Sequence, residues 1–309
     1  MMETAPILVP LDGSDFAEQA IPVASTIAER WHAPLRLARV HVPLASEVHC
    51  ADGLVVVDDK RDLDARQRDA AYLEQRRGTG SEAGIETVLL QGPAVSAALA
   101  ADARTSGARL VVMTTHGRGG LPRLLLGSVA AGVVKRSPTP VLLVRPGHVD
   151  ASRRFRRVLV PLDGSALACS IVDHVSRVAE PGARLVLFTV IEPFSWASWP
   201  DAAGAPVPDE SEQAAAARAW LEEQAVPLRE RGFEVETRVS VSRRCAQQIL
   251  AVAATVEADL IALATHGRSG LARVALGSVA DEVVRGAEVP VLLHHPLRVP
   301  AARVEGEMR

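Results

Sequence analysis

Short apolar runs alternate with longer amphipathic segments along the chain. In the first part of the sequence the short runs predict strands and the longer segments predict helices. The predicted strands are Ile7–Pro10, Leu35–Val42, Glu86–Leu90, Leu110–Thr114 and Val141–Val144, and the predicted helices are Asp15–Trp31, Asp59–Gly78, Val95–Arg104 and Val129–Arg136. Short apolar strands that alternate with helices predict an α/β fold with a doubly wound parallel sheet, covered on both faces.

The same alternation returns in the second part of the chain. Its predicted strands are Val158–Val160, Leu185–Val190, Glu234–Val239, Leu260–Ala264 and Val291–Leu293. The segment Pro193–Glu212 is rich in proline, alanine and acidic residues, and we expect it to form a long loop.

An internal repeat accounts for this recurrence. The segment Thr115–Val129 recurs as Thr265–Val279, with 11 of 15 positions identical at an offset of 150 residues. The segment Val9–Ser14 recurs as Val160–Ser165 at an offset of 151. Matching segments in the same order at nearly constant spacing indicate that a whole domain was duplicated. The sequence therefore predicts two tandem Rossmann-like domains.

The repeat also sets the expected domain boundaries. The length of 309 residues fits the usual prior of about 150 residues per domain. We predict a first domain at residues 1–147, a second at 155–297 and a C-terminal tail at 298–309. Residues 146–157 are polar and charged, so we expect a short exposed linker there.

Composition excludes several classes of partner. With 34 basic and 37 acidic residues the net charge is −3, so no large positive field attracts nucleic acid. Three widely separated cysteines predict neither a disulfide framework nor a thiolate zinc site, and we expect them to be buried thiols. The sequence shows no signal-peptide pattern and no apolar run of the ~18 residues that a membrane helix requires. We therefore expect a soluble cytoplasmic protein without a membrane partner.

Candidate chemistry gathers in the loops at the carboxyl ends of the strands, where ligands of doubly wound sheets bind. Asp12 and Asp163 directly follow the first strand of each domain. Gly117 and Gly127 bracket a loop of nine residues, and Ser128 stands where its hydroxyl could cap the next helix. Backbone amides at a helix start bind phosphate, and glycine lets the anion approach closely. The second domain repeats this arrangement with Gly267, Gly277 and Ser278.

These motifs resemble the universal stress protein family. Its nucleotide-binding members carry Gly-x2-Gly-x9-Gly-Ser/Thr, with an Asp after the first strand and a Val ending the second strand in contact with the nucleoside. Both domains match the last three elements of the motif, and Thr114 and Ala264 stand where its first glycine would be. The resemblance covers the chain up to about Pro296 and implies ATP, with Mg²⁺ where the nucleotide carries it, in one or both domains.

The resemblance also implies a set of nucleotide-contacting residues in each domain. In the first domain they are Pro10, Leu11, Asp12, Val40, Thr114, His116, Gly117, Arg118, Gly127, Ser128 and Val129. In the second domain they are Pro161, Leu162, Asp163, Val190, Ala264, His266, Gly267, Arg268, Gly277, Ser278 and Val279.

Several of these residues have a purely structural interpretation. The glycines could make turns while Ser128 and Ser278 cap helices, and Asp12 and Asp163 could form the turns of their Asp-Gly-Ser sequences. The loop arginines could pair with phosphates or stay solvated. No other metal-binding side chain stands at ligand spacing beside the loop histidines, so we predict no metal site there.

The leading hypothesis is a stress-response protein that binds ATP and acts through binding and assembly. The alternative is an interaction module that binds no nucleotide, which Thr114 and Ala264 favour. No catalytic arrangement is readable, so no catalytic residue is predicted. The family likeness leaves open slow ATP hydrolysis or self-phosphorylation on Ser128 or Ser278.

The final strand of each domain is the predicted assembly surface. An exposed apolar strand edge demands a partner, and members of the resembled family dimerise through this strand. In a tandem chain we expect Val141–Val144 and Val291–Leu293 to pair with each other, which would make an intramolecular pseudo-dimer. Further homodimerisation is left open.

Overall fold

The structure of the chain is a computed structural model. It describes residues 5–43, 45–46, 56–57, 59–77, 84–115, 126–145, 147, 154–193, 209–265 and 276–295. His116, Gly117, Arg118, His266, Gly267 and Arg268, which were all predicted as site residues, lie outside the described residues.

Twelve strands and ten helices are described. In the first half they are β1 (Ile7–Pro10), α1 (Asp15–Glu18), α2 (Ala20–Trp31), β2 (Leu35–His41), β3 (Ala45–Ser46), β4 (Val56–Val57), α3 (Asp59–Arg77), β5 (Ile85–Gln91), α4 (Val95–Thr105), β6 (Leu110–Thr114), α5 (Ser128–Arg136) and β7 (Val141–Val144). In the second half they are β8 (Arg157–Pro161), α6 (Ala166–Cys169), α7 (Ile171–Val178), β9 (Arg184–Ile191), α8 (Glu210–Glu230), β10 (Glu234–Val241), α9 (Cys245–Thr255), β11 (Leu260–Ala264), α10 (Ser278–Gly286) and β12 (Val291–His294).

Ten of these strands form one continuous sheet in the order β10-β9-β8-β11-β12-β7-β6-β1-β2-β5. Strands pair in parallel within each half, as the alternation of strands and helices predicts. The first strand of each half lies between the second and the fourth of the five strands that this half contributes. Chain connections leave it in opposite directions, so a crevice opens at its carboxyl end.

The two halves join through their last strands. β7 and β12 pair antiparallel, with Leu142 opposite Leu292. Beside this seam the indole Nε1 of Trp31 donates to the carbonyl oxygen of Arg177 at 3.0 Å, and Arg30 pairs with Glu180. The predicted pairing of the final strands within the chain is thus present, and it leaves neither strand as a free edge.

Alternation along the strands builds one core layer on each face of the sheet. In β1, Ile7 and Val9 belong to one buried cluster and Leu8 belongs to the other. Both clusters include residues of both halves, so the apolar layers run across the seam. No helix among the described residues is long and apolar enough to span a bilayer.

Three local expectations need correction. The predicted helix Asp15–Trp31 is two helices that break at Gln19, whose amide donates to the carbonyl oxygen of Phe16, three residues back, and the second half breaks in the same way at Ser170. The expected exposed linker ends earlier than residue 157, since Phe155 is buried in the core. The expected loop up to Glu212 ends earlier too, because α8 already begins at Glu210, where Asp209 accepts a capping hydrogen bond from the amide of Ser211.

Candidate nucleotide site in each half

A cavity lined by described residues lies at the carboxyl end of the first strand in each half. The first cavity has a volume of about 790 Å³ and the second about 1070 Å³. The first brings together the predicted residues Pro10, Leu11, Asp12, Val40, Thr114, Gly127, Ser128 and Val129. The second brings together Pro161, Leu162, Asp163, Val190, Ala264, Gly277, Ser278 and Val279. All predicted site residues that the structure describes therefore line one of the two cavities.

The aspartate after the first strand has a structural task in both halves. The Oδ1 atom of Asp12 accepts hydrogen bonds from the amide and the hydroxyl of Ser14, at 2.9 and 2.6 Å. The Ser14 hydroxyl oxygen then accepts from the amide of Ala17 and caps α1. Asp163 and Ser165 repeat the arrangement. The turn interpretation is correct for these aspartates, and each also lines its cavity.

Glycine, and not serine, stands at the N-cap of the helix that follows the glycine loop. Gly127 is the N-cap of α5 and Gly277 that of α10, while Ser128 and Ser278 are the first helical residues. The prediction that the serine hydroxyls cap these helices is wrong. Because glycine has no side chain, no N-cap side chain accepts from the first-turn amides, and these amides lie at the cavity.

Gly277 is held tightly against the end of β11. Its amide donates to the carbonyl oxygen of Thr265 at 3.0 Å, and Gly127 donates to Thr115 in the same way at 2.9 Å. A Cβ atom added to Gly277 would lie 2.4 Å from the Thr265 carbonyl oxygen. The glycine is therefore required for this backbone contact, whatever binds nearby.

A charged cluster on one wall of the first cavity was not predicted. Arg39 pairs with Asp69 at 2.6 Å, and His41, which is 2% exposed, lies with Nδ1 3.1 Å from Asp69 and Nε2 3.0 Å from Asp62. The guanidinium of Arg39 also lies over the ring of Tyr72, 4.9 Å from its centroid. This cluster joins β2 to α3. Its sequence signal is an arginine and a histidine at alternate positions of a strand, together with two aspartates seven residues apart on a helix.

A second hydrogen-bonded group continues the same wall. The hydroxyl of Tyr72 donates to Glu18 at 2.8 Å, and Arg76 pairs with Glu18 at the same distance. Burial, followed by the hydrogen bond to Glu18, raises the pKa of Tyr72 to about 12. Tyr72 is therefore a neutral donor at physiological pH. We call the part of this cavity formed by α3 and the end of β2 the first helix wall.

The second cavity has an equivalent wall of different chemistry. Leu73 of α3 and Leu221 of α8 are buried in the same way, and the next residue in each helix accepts from a threonine hydroxyl of the neighbouring strand. With α3 and α8 aligned in this way, Trp220 is the equivalent of Tyr72. We call the part of this cavity formed by α8 and the end of β9 the second helix wall. Its residues are Thr189, Ile191, Gln213, Ala216, Ala217 and Trp220.

Histidines lie beside the seam in the second half. The rings of His174 and His294 have centroids 4.2 Å apart, and Nδ1 of His294 is buried with no hydrogen-bond partner among the described residues. Burial, with the charges of His174 and His295 as smaller causes, lowers the pKa of His294 to about 4. His295 lies 2.7 Å from the hydroxyl of Thr265, a residue that lines the second cavity.

Cysteine and metal chemistry add little to either cavity. Cys169 and Cys245 are partly exposed and not fully buried as expected, and Cys50 lies outside the described residues. Burial raises the pKa of both thiols, so neither is activated as a thiolate. Among the described residues no group of three or more His, Cys, Asp or Glu side chains could hold a metal ion.

The fold and the paired cavities define a class of protein, namely a tandem doubly wound α/β protein with one potential ligand site at each switch point. The model of the universal stress protein family matches this chain twice, at residues 4–145 and 154–295. The chain therefore belongs to the universal stress protein family.

Individual relatives agree with this assignment. The chain is 27% identical to a universal stress protein of Mycolicibacterium smegmatis over 94% of this chain and 97% of that protein. A universal stress protein of Mycobacterium tuberculosis is 32% identical over 60% of this chain and 61% of its own length. The structure of a universal stress protein from Archaeoglobus fulgidus superimposes with a TM-score of 0.64 at 19% identity, over 94% of this chain and 96% of that one. The structural likeness extends over both halves and concerns the fold.

Proposed function

We propose that this chain is a nucleotide-binding universal stress protein that takes up ATP in its first cavity and acts through binding and assembly, not through catalysis. The observation that carries the proposal is the start of α5 at the first cavity. Its N-cap is Gly127, so the amides of the first helical turn have no N-cap side chain to accept from them. Such amides, together with the helix dipole, attract phosphate.

The rest of the first cavity suits the same ligand. Asp12 and Val40 line it opposite the start of α5, where the family resemblance puts the nucleoside. Arg39 and Arg68 also line it, so its acidic residues Asp12 and Asp69 are balanced by two cations. The volume of about 790 Å³ lies within the range typical of small-molecule sites.

A proline scan at the helix start tests the proposal. Ser128→Pro removes one amide hydrogen. The backbone tolerates this change, because proline is favoured at the first position of a helix and the preceding Gly127 is extended. We expect ATP affinity to fall by at least about tenfold, since one hydrogen bond to a charged group contributes about 1.5–3 kcal/mol. The measurement is titration calorimetry on protein stripped of bound nucleotide.

Two variants control this experiment. Ser128→Ala keeps the amide and should change affinity less than Ser128→Pro does. Ser278→Pro makes the same change at α10 and should leave ATP binding unaltered.

Wild-type protein that releases no nucleotide and shows no titration heat would instead favour a module that binds no nucleotide. That alternative draws on Thr114 and Ala264, whose side chains line the cavities where the family motif has glycine.

A further inference from the structure

The two helix walls differ in the space they leave. In the first half the side chains of Arg39, His41 and Asp69 occupy the wall and hold one another by ion pairs and hydrogen bonds. The equivalent positions of the second half carry Thr189, Ile191 and Ala217, all of which line the cavity. Thr189 and Ala217 are smaller than the equivalent Arg39 and Asp69, and the second cavity has about 1070 Å³, compared with about 790 Å³ in the first. The second cavity can therefore hold a larger molecule.

The second helix wall is more apolar than the first at three positions. Ile191, Ala216 and Ala217 stand where the first half has His41, Arg68 and Asp69. Thr189 and Gln213 keep polar groups in this wall, and the partly exposed Trp220 adds an indole ring to the cavity lining. An indole contributes a large apolar area and prefers aromatic partners in offset or edge-to-face geometry. Pockets that combine aromatic and aliphatic side chains with a small number of precisely placed polar groups are typical of sites for organic molecules with an apolar body.

Charge separates the two cavities further. Among the described residues that line the second cavity, the charged ones are Asp163 and Glu192, and both are acidic. The first cavity is lined by Arg39 and Arg68 in addition to its aspartates. Among the described lining residues, the first cavity thus offers two arginines to an anionic ligand, and the second offers none.

We infer that the second cavity binds an organic molecule with a bulky aromatic or aliphatic body and at most one anionic group. The body packs against Trp220 and the alanines of α8, and a single polar group reaches the first-turn amides at Ser278. The two halves thus take ligands of different chemical class. This inference rests on the proposed function only in treating both cavities as ligand sites.

The test uses 8-anilinonaphthalene-1-sulfonate, which has an aromatic body and one anionic group. The full-length protein should bind about one equivalent saturably, with probe fluorescence that can be excited through tryptophan. Ala217→Asp restores the carboxylate that the first half has at this position and should weaken binding by about tenfold or more, because it buries a charge against the apolar body. Trp220→Ala should also weaken binding.

Ala215→Asp is the matched control. It makes the same substitution on the same helix at an exposed residue that does not line the cavity, so probe binding should be retained. Unaltered probe affinity in Ala217→Asp, or no saturable binding to wild type, overturns the inference. Thermal unfolding of both variants shows whether a loss of binding is a loss of folding. If Ala217→Asp does not fold, the effect of Trp220→Ala decides.

Competition with ATP separates this inference from the proposed function. ATP that displaces the probe stoichiometrically makes the second cavity a nucleotide site, which overturns the inference and leaves nucleotide binding by the protein intact. In the opposite case, wild-type protein binds the probe but no ATP, and Ala217→Asp weakens probe binding. That result supports the inference and contradicts the proposed function.

Discussion

The two halves share one backbone plan but carry charge at different places in their interiors. In the first half Arg36 and Asp102 form a bidentate ion pair between β2 and α4, with distances of 2.8 and 2.9 Å. At the equivalent positions of the second half, Val186 and Val252 pack in an apolar cluster. The same strand-to-helix contact is therefore made by an ion pair in one half and by two valines in the other.

Beside the seam the difference is reversed. In the first half Val23 and Val144 are buried in an apolar cluster, whereas His174 and His294 stand at the equivalent positions of the second half. Together the two contrasts show that the fold needs a packed side chain at each of these positions. It does not need that side chain to be polar or apolar. One half can therefore have an ion pair where the other has valines, and imidazoles can replace valines beside the seam. The helix walls of the two cavities differ in polarity at equivalent positions in the same way.

The largest expected loss of stability comes from removing one partner of the ion pair between Arg36 and Asp102. Asp102 is 6% exposed, and its hydrogen bond raises the pKa of Arg36 above the usual value. Asp102→Val removes two hydrogen bonds from the partly exposed Arg36 guanidinium and leaves Glu86 as its remaining carboxylate partner, and we expect the free energy of unfolding to fall by about 2 kcal/mol. Urea denaturation followed by circular dichroism measures the loss.

The double variant sharpens the comparison. Arg36→Val with Asp102→Val gives the first half the pair that the second half already has. Because replacing a buried pair by packed apolar residues is often neutral or stabilising, most of the lost stability should return. A double variant that is no more stable than Asp102→Val would mean that the first half depends on the charge itself.

The next effect concerns the pH dependence of stability. His294 has its pKa lowered to about 4 in the folded protein, against an ordinary value of 6.5. The unfolded chain therefore binds a proton that the folded chain does not, and stability falls as pH drops from about 6.5 towards 4. His174 has its pKa lowered by burial and by Arg177, with Asp173 opposing, and it acts in the same direction.

Replacing His294 by the first-half residue should remove this contribution. We expect His294→Val to be more stable than wild type at pH 4.5, by on the order of 1–2 kcal/mol after allowance for solvent screening, and the gain should shrink towards pH 7.5. The measurement is the unfolding free energy at both pH values. In the reciprocal variant Val144→His, the loss of stability should be greater at the lower pH. An equal change at both pH values would contradict the assignment.

The strand and helix order and the switch-point loops could be predicted because they depend on local pattern. Apolar runs such as Leu110–Thr114 mark strands by themselves, and the duplicated motif marks both loops. The pairing of β7 with β12 followed from the same reasoning, since two apolar edge strands in one chain cover each other.

The helix walls could not be predicted because their residues are brought together only by packing. Arg39 and Asp69 are 30 residues apart in sequence, and their contact needs the register of α3 on β2. The N-cap assignment failed for a related reason. Gly127 is held by its hydrogen bond to Thr115, a tertiary contact that puts glycine and not Ser128 at the helix boundary.

The smallest expected effect tests a feature that the halves share. Ser14 and Ser165 cap α1 and α6 with hydroxyl-to-amide distances of 3.2 and 3.1 Å, and each donates to the preceding aspartate at 2.6 Å. Ser14→Ala and Ser165→Ala should each lower the free energy of unfolding by about 1 kcal/mol, and by equal amounts within about 0.5 kcal/mol.

Ser128→Ala is the control for this last pair. Because Ser128 is the first helical residue of α5 and not its N-cap, losing its hydroxyl should change stability by less than about 0.5 kcal/mol. Urea denaturation compares the three variants. A loss at Ser128 as large as that at Ser14 would restore the serine as the cap of α5. Unequal losses at Ser14 and Ser165 would show that the divergence of the two halves reaches even the turns that follow their first strands.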